Sequence, residues 1–139
     1  MSQNVKISKG ANIKLVGTSE KVLGNIEMPT SFAVCPPNFH GLMPKLSVKV
    51  GDKVKAGSKL FVNKYNEQIK FTSPISGEIT EIIRGEKRKI LEVKLKADKI
   101  VAYEQFVVSS ASADEVKTAL LNSGLWPFIK QRPYDIIAN

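Results

Sequence analysis

Reactive side chains are thinly spread over this chain. The only histidine, His40, lies in Asn38-Phe39-His40-Gly41-Leu42, and the only cysteine is Cys35. One thiol excludes an internal disulfide and any multi-cysteine metal or iron–sulfur site within the chain, and Cys35 reads as a small buried or half-buried thiol. His40 reads as a loop histidine before a strand, structural or exposed. The thirteen carboxylates never pair at a spacing suited to acid–base work, because Asp114-Glu115 is explained by a helix start. Gly10, Gly17 and Gly24 recur every seven residues without the strand-then-helix context of a dinucleotide loop. No catalytic residue and no metal ligand is therefore expected. The one cluster left is Arg84, Lys87 and Arg88 around a single turn, whose charge suits an anionic or acidic partner.

Charge patterning widens that point. The formal net charge is +8, and 18 of the 21 basic residues are lysines, arginine being confined to Arg84, Arg88 and Arg132. Lys49, Lys53, Lys55 and Lys59, then Lys94 and Lys96, alternate along extended stretches, which puts them on solvent faces where they also discourage edge pairing. Nucleic acid is excluded as a partner, since no aromatics interleave the basic residues as stacking platforms. An anionic membrane surface and an acidic protein fit better. No apolar run approaches the roughly 18 residues of a spanning helix, and the start lacks a secretory core, which points to the cytosolic side.

The elements that position these residues are mostly strands. Residues 1–31 contain two short alternating runs, Val5 to Gly10 and Ile13 to Gly17, expected as edge strands or extended ribbon. Residues 32–97 hold candidate strands at Ser31 to Cys35, Lys45 to Val50, Leu60 to Val62, Ile69 to Thr72, Gly77 to Arg84 and Ile90 to Lys96. Val48-Lys49-Val50-Gly51-Asp52-Lys53 is echoed by Ile82-Ile83-Arg84-Gly85-Glu86-Lys87, as two related halves of a sandwich would produce. In residues 98–139 a linker leads to Ser112-Ala113-Asp114-Glu115, a capping box that starts a helix over about 113–123 closed by Gly124. Val116, Leu120 and Leu121 share a face of it. Leu125 to Ile129 reads as an apolar anchor, and the apolar end Ile136-Ile137 as the start of a following domain.

The Gly51-Asp52 ribbon and the Ser73-Pro74-Ile75-Ser76-Gly77 corner together specify a mainly β barrel-sandwich hybrid, the hammerhead of biotinyl and lipoyl carriers, with flanking N-terminal strands and a C-terminal helical segment. Carriers display a lysine at the tip of the hairpin between these two motifs. Here that hairpin spans Asn63 to Gln68, with Lys64 expected on the first strand and Asn66-Glu67 at the tip. The flanking residues also differ from those of carriers, so no covalently bound cofactor is expected, the modified carrier domain and a stand-alone interaction module being the alternatives.

Beyond the fold, Ile7-Ser8-Lys9-Gly10, Gly41-Leu42-Met43-Pro44, Val50 to Gly57, Phe71 to Gly77, Arg84-Gly85-Glu86-Lys87-Arg88 and the tail Leu125-Trp126-Pro127-Phe128 with Gln131-Arg132-Pro133 occur in that order in the A-type subunit of the bacterial Na+-translocating NADH:quinone oxidoreductase. The chain resembles the N-terminal part of that family. The resemblance implies a peripheral component on the cytoplasmic face of the inner membrane, associated with the quinone-reducing end and with docking onto the other subunits. Quinone is then the substrate of the whole complex, with flavins and the iron–sulfur centre in partner subunits. Met43 departs from the family, standing where many relatives carry arginine.

Overall fold

The computed structural model describes residues 6, 8, 10, 15–107 and 112–138. Two antiparallel sheets face each other. The larger has the order β1-β7-β6-β3, formed by Ser31–Val34 (β1), Lys53–Val54 (β3), Gly77–Arg84 (β6) and Ile90–Ala97 (β7). The smaller has the order β2-β4-β5, formed by Pro44–Leu46 (β2), Lys59–Asn63 (β4) and Asn66–Thr72 (β5). Apolar residues of both sheets fill the space between them: Leu60, Phe61, Ile69 and Phe71 from one side, Ile79, Val93 and Leu95 from the other, all buried. Phe61 and Phe71 stack with ring centroids 4.9 Å apart, and Phe39 meets Phe71 edge-on at 4.7 Å. This is the barrel-sandwich expected from the sequence.

The two diagnostic ribbons do fold together. Val54 pairs Gly77 and Lys53 pairs Glu78, while the Ile79 amide donates to the Asp52 carbonyl at 2.9 Å and the Gly51 amide to the Ile79 carbonyl at 2.8 Å. Gly77 is fixed by proximity, because a Cβ there would lie 2.0 Å from the Lys96 carbonyl oxygen. The corner is closed by Ser73, whose buried hydroxyl donates to the Ile75 carbonyl at 2.6 Å.

Several expectations are corrected. Residues 15–30 form no strand and lie exposed, so no edge strand is seen over the described part of Ile13 to Gly17, and of Val5 to Gly10 residues 5, 7 and 9 lie outside the described residues. The Lys45 to Val50 strand stops at Leu46, because Asp52 turns the chain: its Oδ2 accepts the Lys49 amide at 2.8 Å. Nor is the stretch after β7 a free linker, since Tyr103 forms a parallel bridge to Ala56 and the Ala102 amide donates to Ser76 Oγ at 2.9 Å.

Helix α1 runs Ala113–Ser123, with Ser112 as N-cap accepting the Glu115 amide at 3.3 Å and Gly124 left-handed at φ 74° as C-cap. Gly124 also lies against Thr72 of β5, where a Cβ would meet the threonine side chain at 2.5 Å. The expected single apolar face divides: Leu121 packs on the core, whereas Val116 is exposed and lines a groove with Leu120 and Phe106. In the apolar anchor, Pro127 is buried and Trp126 packs on the core with its Nε1 donating to the Ala138 carbonyl at 2.7 Å, while Leu125, Phe128 and Ile129 stay exposed. Ile136–Ile137 (β9) pairs back onto Lys130–Gln131 (β8). Among the described residues no helix is long and apolar enough to cross a membrane.

Candidate partner-docking site

The β6–β7 hairpin changes character along its length. Over its body, carboxylates and lysines face one another: Glu78 lies opposite Lys96, and Lys94 Nζ sits 3.1 Å from Glu81 and 3.9 Å from Glu92. At its end the compensation stops. Arg84, Lys87, Arg88 and Lys89 are exposed and carry no ion pair among the described residues, with Glu86 as the one carboxylate in the turn.

The backbone of this turn is costly. The Lys89 amide donates to the Glu86 carbonyl at 3.1 Å, enclosing Lys87 (φ 51°, ψ 31°) and Arg88 (φ 60°), both left-handed. That is a type I′ reversal, which matches the twist of a hairpin but is ordinarily built from Asn-Gly. A side chain in this conformation costs about 1 to 2 kcal/mol per residue. Arg84 props the turn, its Nη1 donating to the Arg88 carbonyl at 3.3 Å. Of the three residues singled out from sequence, then, Lys87 and Arg88 project from the tip while Arg84 supports it.

Lys64 is the clearest correction. It belongs with Tyr65 to the two-residue turn between β4 and β5, closed by the Asn63–Asn66 pair, and Asn66 already starts β5. The physical reason is local: the Asn63 side chain accepts the Tyr65 amide at 3.2 Å, and the Lys64 amide donates to the Met43 carbonyl at 2.8 Å, which turns the chain two residues earlier than expected. Lysine thus occupies the tip after all. The sequence does carry a signal for this, since Asn63 is a turn-forming residue ahead of a Lys-Tyr pair.

The loop between β1 and β2 lies beside both turns. Residues His40 to Leu42 line one cleft of about 260 Å³ that reaches Tyr65 and another of about 240 Å³ that reaches Lys89. His40 and Met43 are exposed there, and Cys35 is half-buried as expected. No cluster of three or more potential metal ligands occurs among the described residues. Among the described residues the one clear pKa displacement lies on the smaller sheet, where the hydrogen bond and charge of Lys45 hold the exposed Glu67 carboxyl below its ordinary value.

The barrel-sandwich has a counterpart among known protein families. The family model described as the NqrA N-terminal barrel-sandwich hybrid domain matches residues 5–98, more than half of the chain. The chain belongs to this family. A second model, the NqrA second alpha/beta domain, matches residues 111–139. Proteins named as the A-type subunit of Na(+)-translocating NADH-quinone reductase are similar to this NqrA-family chain. That of Glaesserella parasuis is 38% identical over 94% of the chain and 30% of its own length; that of Neisseria meningitidis is 35% identical over 96% and 31%. The chain spans about 30% of the length of these curated relatives.

Proposed function

We propose that this chain is the N-terminal part of the NqrA component of a Na+-translocating NADH:quinone reductase and that it serves assembly rather than chemistry. It sits peripherally on the cytoplasmic face of the inner membrane, at the quinone-reducing end, and docks onto the other subunits. The flavins and the iron–sulfur centre belong to those subunits, and quinone is the substrate of the whole. The observation that carries the docking role is the exposed tip formed by Arg84, Lys87 and Arg88, uncompensated where the rest of its ribbon is paired. Exposed cations at an interface steer association and are screened beyond about 10 Å at 0.1 M salt. Charge reversal at the three positions in full-length NqrA is expected to slow assembly of the complex and to flatten its dependence on ionic strength. Unchanged assembly and unchanged salt sensitivity would remove the tip from the docking role.

The position of Lys64 favours a second reading, a modified carrier domain, since a lysine in a tight hairpin turn is what a biotinyl or lipoyl ligase addresses. Intact-mass measurement after co-expression with each ligase decides it: an added biotinyl or lipoyl mass that disappears in Lys64→Arg establishes the carrier, and an unmodified mass excludes it.

A further inference from the structure

We infer that the two hairpin turns and the loop between them form a single docking face, built for a protein surface that presents carboxylates around an apolar spot. The inference rests on the docking role proposed above and adds its extent and its partner's chemistry. The Lys64 amide is bonded to the Met43 carbonyl, and β2 and β4 pair Pro44 with Asn63, which ties the loop to the first turn. Lys89 shares a cleft with His40 and Leu42, which ties the same loop to the second. At this end of the barrel Tyr65 is 76% exposed and Met43 46% exposed, flanked by Lys64 on one side and by Lys87, Arg88 and Lys89 on the other.

Charge and composition identify the occupant. None of these four cations has an ion pair among the described residues; Glu86 lies within the second turn, and Glu67, two residues beyond Tyr65, is already paired with Lys45. Tyrosine, methionine and arginine are the residues enriched at protein interfaces, and an anchor ringed by charge is the usual arrangement of such a contact. A lipid surface would be served by lysine alone. Instead the chain holds Lys87 and Arg88 in left-handed backbone that Asn-Gly would occupy without strain. A backbone held by the Glu86–Lys89 and Arg84–Arg88 hydrogen bonds sets the two cations out from defined positions, which suits a partner of defined shape and gains nothing against a fluid one.

The test uses full-length NqrA together with the detergent-solubilised remainder of the complex from which NqrA has been stripped, with melting temperatures of all variants as the control for folding. Met43→Ala with Tyr65→Ala is expected to weaken association about tenfold or more while leaving its salt dependence as it was. Lys87→Asn with Arg88→Gly is expected to weaken association and flatten the salt dependence while the melting temperature rises. If the charge variants act and the Met43/Tyr65 variant does not, the composite face is wrong and docking through the tip alone stands; if neither acts, the docking reading falls with it. Binding to vesicles of mixed phosphatidylcholine and phosphatidylglycerol with the same residue dependence, in place of binding to the stripped complex, would overturn the protein partner in favour of lipid.

Discussion

Two turns of this molecule share a sequence signature and reverse the chain by different means. In the first, before β3, Gly51 takes the left-handed position at φ 90°, and Asp52 closes the turn by accepting the Lys49 amide. In the second, Gly85 is extended at φ −97°, and the left-handed positions fall two and three residues later on Lys87 and Arg88. The first turn places each residue type where its backbone is relaxed and its side chain satisfied. The second keeps glycine for close packing, where a Cβ would meet Leu91 Cδ1 at 3.0 Å, and tolerates strain so that two cations stand at the tip. The difference separates a turn whose residues suit its backbone from one that carries strain, which the docking role proposed above would account for.

The strongest perturbation breaks the frame that both turns share. Gly77→Ala forces a methyl into the Lys96 carbonyl, and neither backbone can yield without parting β6 from β7. A loss of more than about 3 kcal/mol is expected, read as a large fall in the denaturant midpoint.

Next in size is the contrast between the two glycines. Gly51→Ala places a side chain in left-handed backbone and is expected to cost about 1 to 2 kcal/mol. Gly85→Ala needs only a shift of the flexible Leu91 side chain and should cost less than half of that by the same denaturation measurement. Equal losses at the two positions would erase the distinction between the turns.

Replacing Lys87-Arg88 by Asn-Gly acts in the opposite direction. It relieves both left-handed side chains and keeps the backbone carbonyl at position 88 that Arg84 holds, so stability should rise by about 1 kcal/mol in thermal or chemical unfolding. A fall instead would mean that the tip is already relaxed.

The smallest effect belongs to the Lys45–Glu67 pair on the neighbouring sheet. Glu67 has a folded pKa below 4.5, so its stabilising contribution is complete above that value and disappears as pH falls through the lowered one. Melting temperatures of the parent and of Lys45→Met should therefore separate above pH 4.5 and converge in acid, the gap shrinking with added salt.

How much is legible in the sequence varies by element. Helix α1 can be read to the residue, because Ser112, Glu115 and Gly124 are local cap signals that act through adjacent amides. The β6 and β7 strands are likewise clear from alternation and a glycine boundary. The tip of the β4–β5 hairpin lies two residues from its expected place, since Lys64, Tyr65, Asn66 and Glu67 are all polar or amphipathic and the choice among them falls to Asn63 and to a bond from Met43, twenty-one residues away in sequence. The candidate site is legible as charge alone: Arg84, Lys87 and Arg88 are evident, whereas Met43, Tyr65 and Lys64 join them only through pairing between distant strands.

The amino-acid order by itself decided the sandwich, because Gly51, Asp52, Pro74 and Gly77 restrict the backbone directly and the apolar residues between them supply much of the core. It also decided the excess of positive charge. Where that charge is neutralised and where it stands alone was settled by register, which sets Lys94 beside Glu81 and Lys96 opposite Glu78 and leaves the tip unmatched. Likewise, Lys87 and Arg88 became left-handed through closure of the ribbon between β6 and β7, since turn geometry must match strand twist whichever residues occupy it.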